Sequence, residues 1–281
     1  MLIGPFVEET IRRAINEDLG NGDITTDLLV APGIKGEAAI YAKGEGILAG
    51  THVFQAVFLI LDGDSVFKDF PADGTAVENG DLLGRVSASL EALLIGERTA
   101  LNFLQHLSGI SGKARRWQTI IDEFKVELVD TRKTTPGLRQ LEKYAVKVGG
   151  ARNHRLDLSG GILIKENHIR AIGSIEKAVK LARKNAPVTV KIEVEVTDLT
   201  ELREALEAGA NIIMLDNMDI KTIKEAVKIA HGKALLEVSG NVTEDRLQEI
   251  AATGVDFISS GALTYNASVL DISMLITETT R

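Results

Sequence analysis

A repeat of strand and helix in the second half of the chain constrains the fold more than any other feature. Predicted strands begin at residues 188, 211, 234 and 255, so the pattern recurs about every 21 to 23 residues. This spacing is typical of one βα unit. Two more strands are predicted upstream, over residues 126–131 and 162–165. Six strands in βα succession predict a parallel sheet that is closed, or nearly closed, into a barrel.

Helix boundaries in this region follow from capping residues. Predicted helices over 199–208, 220–231 and 244–253 are preceded by Asp198, Asp219 and Thr243, which are suitable N-caps. A further helix is predicted to begin near Pro136 and to end at the Gly149-Gly150 pair.

The first part of the chain has a different pattern. Residues 36–49 and 74–86 are β-rich and interrupted by glycines, and residues 90–107 form a long apolar helix. We therefore predict two domains, an α+β domain over residues 1–110 and an α/β barrel over 111–269. The final segment, 270–281, is expected to pack on the first domain.

Composition excludes several classes of protein. The chain has no cysteine, which excludes disulfides and thiolate metal sites, and its net charge of −8 argues against a nucleic-acid-binding protein. The longest apolar run, 53–61, is too short to cross a bilayer, and the N-terminus lacks a secretory pattern. We expect a cytoplasmic enzyme without a membrane or nucleic-acid partner.

Positive charge is concentrated in one stretch of this acidic chain. Residues 130–170 contain nine Lys or Arg and four Asp or Glu, so nine minus four leaves a local charge of +5. Such a local field favours binding of a small anion. A solvated basic helix face, formed by Lys143 and Lys147, is the structural alternative.

Alternation along the strands directs charged side chains into the barrel. In residues 188–196, Lys191, Glu193 and Glu195 share one face and the aliphatic residues share the other. The aliphatic face should contact the helices, so the charged face should point inward. Asp216 shares a face with Met214 at the end of the next strand. A buried Lys191–Glu193 ion pair would be the purely structural explanation.

Polar residues also stand where the predicted strands end, which is where barrel active sites form. Glu195 and Asp216 are hard oxygen ligands suited to Mg²⁺. Side chains that can bind carboxylates or phosphates are Arg132, Lys133, His154, Arg155 and Lys165. The loops over 238–242 and 259–263 contain Ser and Gly and suit a phosphate.

These residues belong to a longer stretch, DTRKTTPGLRQLEKYAVKVGGARNHRLDLSGGILIKENHI over 130–169, which closely resembles the quinolinate phosphoribosyltransferase family. The resemblance continues through 17–29, 97–111, 191–196, 213–218, 236–241 and 258–264. It implies conversion of quinolinate and phosphoribosyl pyrophosphate into nicotinate mononucleotide, pyrophosphate and CO₂, with Mg²⁺, in NAD biosynthesis. It also implies an N-terminal α/β sandwich domain, an incomplete, seven-stranded α/β barrel, and a homodimer or hexamer.

Site residues carried over from the family fall into three groups. The quinolinate carboxylates are assigned to Arg132, His154, Arg155 and Lys165, with Thr131 beside them and Arg98 reaching the partner subunit's site. Lys133, Glu195 and Asp216 are expected to be catalytic, with Glu195 and Asp216 binding the ribose hydroxyls and Mg²⁺. The 5′-phosphate is assigned to Ser239, Gly240, Asn241, Ser260, Gly261 and Ala262. Tyr265 stands where many members have His, so it receives no role.

Three other functions are compatible with a barrel of this kind. A related transferase, using nicotinate or associated with molybdenum transport, would share the fold but need fewer cations. A Schiff-base aldolase would use Lys133, Lys165 or Lys191 as its nucleophile. A non-catalytic module for phosphorylated ligands would not need Glu195 and Asp216 beside the cations. Release of CO₂ from quinolinate separates the predicted transferase from all three.

Overall fold

The chain divides into two compact units, each built around its own sheet. The computed structural model describes residues 4–280. One unit comprises the described residues of Met1–Arg115, Thr135–Gly150 and Ala267–Arg281, and the other comprises Arg116–Thr134 and Ala151–Asn266. None of the helices over 4–280 is long and apolar enough to cross a membrane.

Helices and strands alternate along the described chain. The helices are α1 (Pro5–Leu19), α2 (Ile24–Leu29), α3 (Thr51–Leu61), α4 (Leu90–Ile121), α5 (Arg139–Val148), α6 (Glu166–Ile172), α7 (Ile175–Asn185), α8 (Leu199–Glu207), α9 (Ile220–Ala230), α10 (Leu247–Ala251) and α11 (Ala262–Tyr265). The strands are β1 (Lys35–Ala42), β2 (Gly46–Ile47), β3 (Val66–Lys68), β4 (Ala76–Val77), β5 (Leu82–Ser89), β6 (Glu127–Val129), β7 (Ile162–Ile164), β8 (Ile192–Val196), β9 (Ile212–Asp216), β10 (Leu235–Ser239), β11 (Phe257–Ser259) and β12 (Ile272–Thr280).

The first unit combines an antiparallel sheet with helices that contribute to its core. Its strands lie in the order β12-β1-β5-β3, and β2 pairs with β4 separately. Strand β12, the end of the described chain, pairs with the whole of β1. Phe54 and Phe58 of α3 are fully buried, and Gly96 of α4 lies so close that a Cβ there would be 2.8 Å from the Phe58 ring. A larger residue at 96 would therefore displace the core.

Helix α5 belongs to this first unit, whereas the sequence placed it in the barrel. Tyr144 Oη donates a hydrogen bond of 2.6 Å to Asp73, and Arg115 Nε donates one of 2.9 Å to the Gly149 carbonyl. Leu141 and Val146 are buried by the same packing. The amphipathic pattern predicted that this helix covers a core, but amphipathicity alone does not say which one.

The second unit contains the predicted parallel sheet. Its six strands have the order β6-β11-β10-β9-β8-β7, and the paired strands within it are parallel. Their apolar faces account for the core, where Val194, Ile213, Leu215 and Ile258 are fully buried. The α/β class and the six strands expected from the repeat are confirmed. The observed strands are one to four residues shorter at their ends than predicted.

The seventh strand implied by the resemblance is reduced to a single bridge within the described residues. Arg152 pairs with Val129 on the free side of β6, through bonds to Leu128 and Asp130 of 2.8 and 3.1 Å. The buried Asp130 carboxylate then accepts the backbone N–H of His154 at 2.9 Å. Because that N–H is bound to a side chain rather than to a neighbouring strand, the ladder ends after one residue.

Helix caps in the second unit partly agree with the sequence. Asp198 accepts the backbone N–H groups of Thr200 and Glu201, and Asp219 accepts that of Thr222, so both predicted N-caps are confirmed. Thr243 stands at its predicted position without a side-chain capping bond. The helix after it is correspondingly short, because residues 244–246 form a 3-10 turn before α10 begins.

Candidate active site

A cavity of about 760 Å³ lies at the carboxyl ends of the barrel strands, within the second unit. All predicted site residues of this unit line it: Thr131, Arg132, Lys133, His154, Arg155, Lys165, Glu195, Asp216, Ser239, Gly240, Asn241, Ser260, Gly261 and Ala262. Arg98 is an exposed residue of α4 in the first unit and is not among the lining residues. The spatial convergence is thus observed, whereas the role of each residue stays a prediction.

Cationic side chains form one side of the cavity. Arg155 Nη1 donates a hydrogen bond of 2.8 Å to the Gly161 carbonyl, which holds the guanidinium in place. Its Nε is buried and has no hydrogen-bond partner among the described residues. Burial and the positive charge of Arg132 both lower the pKa of Arg155 from its ordinary value. An anion bound here would supply the missing partner and relieve the repulsion.

Carboxylates stand on two adjacent strands of the same cavity. Glu195 lies on β8 and forms an ion pair with Lys165, which follows β7. Asp216 ends β9, and its Oδ2 accepts a hydrogen bond of 2.9 Å from Asn217 Nδ2. These are hard oxygen donors that face a solvent-accessible space, so their chemistry fits Mg²⁺ beside a phosphorylated ligand.

Two loops after β10 and β11 have backbones that lie close to neighbouring side chains. Gly240 has φ of +85°, and a Cβ on it would be 2.3 Å from Asn217 Oδ1. A Cβ on Gly261 would be 2.8 Å from Lys133 Cδ. Neighbouring side chains thus leave little room for a Cβ at either glycine. Gly240 also has a left-handed backbone, which favours glycine. A small hydroxyl-lined loop of this kind suits a phosphate.

Two hydrogen bonds fix the backbone of Lys133. Its N–H donates a hydrogen bond of 3.0 Å to Thr131 Oγ1, and its carbonyl accepts one of 2.7 Å from the buried Thr264 hydroxyl. These bonds fix the loop on both sides of the lysine, so its side chain projects from a defined point into the cavity.

A buried polar cluster of His154, Glu193 and Glu237 adjoins the cavity, which His154 and Glu237 line. The family resemblance assigned a role only to His154. His154 Nε2 lies 3.0 Å from Glu193 Oε2 and 3.5 Å from Glu237 Oε2. On the other side of the ring, the Arg155 backbone N–H donates a hydrogen bond of 2.8 Å to Nδ1. The alternation along β8 and β10 indicated that the two glutamates face inward, but it did not indicate that His154 is their partner. His154 comes from the irregular segment before β7, which has no periodicity to extrapolate.

Protonation of this cluster is shifted upward. Burial opposes a charge on His154, but the hydrogen bonds and charges of Glu193 and Glu237 outweigh it and raise the pKa of His154 to about 10. Burial raises the pKa of Glu193 as well. The shifts of His154 and Glu193 together keep a proton in the cluster to higher pH than these two side chains would in isolation.

The lysines proposed for a Schiff-base reaction are in unsuitable surroundings. Lys191 is exposed and lies outside the cavity. Glu193 pairs with His154, so the purely structural alternative of a Lys191–Glu193 ion pair does not hold. Lys165 is paired with Glu195 and is partly exposed, so it does not lie in an apolar pocket. A Schiff-base lysine needs a neutral amine in a desolvated pocket.

Comparison with known proteins agrees with the geometry. A model of the quinolinate phosphoribosyl transferase C-terminal domain matches residues 110–275, and one of its N-terminal domain matches residues 23–108. A probable nicotinate-nucleotide pyrophosphorylase (carboxylating) of Synechocystis is 43% identical, covering 98% of this chain and 93% of the relative. Its counterpart in Bacillus subtilis is also 43% identical, covering 93% and 90%. The solved structure of NadC from Streptococcus pyogenes superposes with a TM-score of 0.93 at 40% identity, over 100% of this chain and 99% of that one. The chain therefore belongs to the quinolinate phosphoribosyltransferase family.

Proposed function

We propose that the chain transfers a phosphoribosyl group from phosphoribosyl pyrophosphate to quinolinate with loss of CO₂, yielding nicotinate mononucleotide and pyrophosphate for NAD biosynthesis. The observation that carries this proposal is the convergence of a cationic set and a carboxylate pair in one cavity. The names of relatives at 43% identity state the same pentosyltransferase activity.

Quinolinate is the substrate that the cationic side of the cavity fits best. It is a planar dianion, and Arg132, Arg155 and Lys165 together offer more positive charge than monocarboxylic nicotinate needs. Two forked guanidiniums can hold the ring in a fixed plane, so that its nitrogen faces the ribose. Holding the two reactants in line is the main way in which such groups accelerate a displacement.

The chemistry has two steps that leave charge where the cavity can stabilise it. The pyridine nitrogen forms a bond to C1 of the ribose as the bond from C1 to pyrophosphate breaks, through a cationic sugar. Lys133 stabilises the negative charge that grows on the leaving group. The bond from the ring to its 2-carboxylate then breaks, and the electron pair left beside the cationic nitrogen takes up a proton. Ribosylation before decarboxylation follows from this charge.

Phosphoribosyl pyrophosphate is assigned to the opposite side of the cavity. Glu195 and Asp216 would bind the ribose hydroxyls and hold Mg²⁺, which when bound neutralises pyrophosphate oxygens. The 5′-phosphate is assigned to the two loops, Ser239, Gly240 and Asn241 with Ser260, Gly261 and Ala262.

We further propose that the enzyme is a homodimer, or a hexamer, in which Arg98 reaches the partner subunit's site. The first unit supports this with an apolar patch on α2, where Ile24, Leu28 and Leu29 are 75%, 78% and 79% exposed. Clustered apolar exposure of this degree indicates an interaction surface.

The proposal is tested with the purified chain, quinolinate, phosphoribosyl pyrophosphate and Mg²⁺. We expect nicotinate mononucleotide and CO₂ in equal amounts, with loss of turnover on chelation of Mg²⁺. Nicotinate replaces quinolinate in the control reaction and should give little product. Efficient use of nicotinate, or no CO₂ from quinolinate, would contradict the proposal.

A further inference from the structure

Glu193 and Glu237 have no part in the chemistry proposed above, yet they lie in the interior of the barrel beside His154. Glu193 on β8 and Glu237 on β10 are only 4% and 2% exposed. The inner layers of such barrels are usually filled by branched aliphatic side chains. Two carboxylates in this position therefore need a reason.

Stability does not supply that reason. The Oε1 atoms of Glu193 and Glu237 are both buried without a hydrogen-bond partner in the described residues. Burying a carboxylate oxygen without a partner destabilises the fold, and a buried ion pair is often no better than a well-packed apolar pair. The cluster is thus retained at a cost to folding, which points to a role in the cavity above it.

The contacts of His154 indicate what that role is. Its ring is held at Nε2 by the carboxylates, and Nδ1 accepts the backbone N–H of Arg155 at 2.8 Å. The His154 backbone N–H is bound to Asp130 at 2.9 Å. The imidazole therefore bridges the barrel interior and the start of Arg155, whose guanidinium lines the cavity.

We infer that Glu193 and Glu237 are positioning residues that anchor the imidazole of His154 and, through it, Arg155 at the quinolinate end of the cavity. This inference rests on the proposed function for its identification of the ligand. It predicts that the glutamates affect quinolinate and leave phosphoribosyl pyrophosphate unaffected, because their influence passes through His154 and Arg155.

Glu237→Gln is the first test, because it removes the charge and keeps the shape. We expect the quinolinate KM to rise about tenfold, the KM for phosphoribosyl pyrophosphate to change less than about twofold, and Glu237→Asp to restore part of the loss. Asp73→Asn is the matched control, since Asp73 is a part-buried carboxylate 3.5 Å from a histidine, His52, in the first unit. It should lower Tm without changing either KM. Equal rises in both KM values for Glu237→Gln would overturn the inference.

A double-mutant cycle tests whether Glu237 acts through His154. In a His154→Ala background, Glu237→Gln should cause no further rise in the quinolinate KM, because the connecting group is gone. Rises that multiply independently would show that Glu237 acts by another route and would contradict the inference. Circular dichroism and Tm identify any variant that fails to fold.

A measurement independent of turnover separates this inference from the proposed function. Ring NMR signals of His154 in the wild type should respond to pH differently from those in Glu237→Gln, since Glu193, Glu237, Arg155 and Asp130 are the charged groups around it. Identical titration curves would overturn the anchoring role even in an active enzyme.

The ligand atoms of the cluster lie within 4.8 Å of one another, so metal analysis is included. A stoichiometric divalent cation retained after dialysis against chelator would replace the hydrogen-bond account. Inactive wild-type protein with distinct titration curves would reject the proposed function alone.

Discussion

At the scale of single residues, Asn217 links Asp216 to the loop that follows β10. Its Nδ2 donates to Asp216 and its Oδ1 accepts from Asn241 Nδ2, both at 2.9 Å. Its backbone has φ of +55°, and its amide lies where a Cβ at position 240 would be only 2.3 Å away, so Gly240 leaves room for it. The proposed Mg²⁺ ligand and the proposed phosphate loop are therefore held in a common arrangement.

Replacing Asn217 by Gly should separate this link from the backbone requirement. Glycine accepts a positive φ without strain, so Asn217→Gly removes only the side chain. We expect a rise of about threefold to tenfold in the KM for phosphoribosyl pyrophosphate, corresponding to about one ordinary hydrogen bond of roughly 0.5 to 1.5 kcal/mol. Gly240→Ala should act in the same direction, because its Cβ displaces the amide. Unchanged kinetics in both variants would exclude the link.

Replacing Arg155 by Ala tests the assignment of the quinolinate carboxylates. A hydrogen bond to a charged group contributes about 1.5 to 3 kcal/mol, so the quinolinate KM should rise roughly tenfold to hundredfold. Arg152→Ala is the control, since its exposed side chain pairs with Glu127 and does not line the cavity. Steady-state kinetics of the two variants give the comparison. Similar KM values for both would remove Arg155 from the site.

At the scale of elements, capping residues and alternation were the reliable parts of the sequence. Asp198 and Asp219 begin their helices as predicted because an acidic N-cap acts locally. The inward direction of Glu193, Glu195 and Asp216 also followed, because strand alternation has a fixed period. The start of β8 was placed too early, since Val188 and Val190 fit a strand pattern but pair with no neighbouring strand in the described chain.

Removing one cap tests how much such a local contact contributes. Asp198→Ala deletes the acceptor for the N–H groups of Thr200 and Glu201 and should lower the free energy of unfolding by about 0.5 to 2 kcal/mol. Asp198→Ser keeps an acceptor and should lose much less. The difference is measured by urea unfolding of both variants. Equal stability of the two would show that the cap contributes nothing.

At the scale of the whole molecule, the sequence identified the site but not all of its construction. The cavity brings together nearly every residue named from the strand ends and the family stretches, because strand succession fixes which ends are neighbours. It could not foresee that Asp130 would end the seventh strand after one bridge, or that His154 would meet Glu193 and Glu237. These contacts depend on packing between segments distant in the chain. The placement of α5 in the first unit also depends on packing between segments distant in the chain.

The central claim is that a single cavity binds a dianionic pyridine and a pyrophosphorylated ribose and joins them. The most direct measurement is release of labelled CO₂ from quinolinate that carries the isotope in its 2-carboxylate. We predict release that depends strictly on phosphoribosyl pyrophosphate and falls by at least about tenfold in Arg155→Ala, at subsaturating quinolinate, and in Asp216→Ala, while both variants stay folded. Undiminished release in either variant, or release without the ribose substrate, would contradict the account.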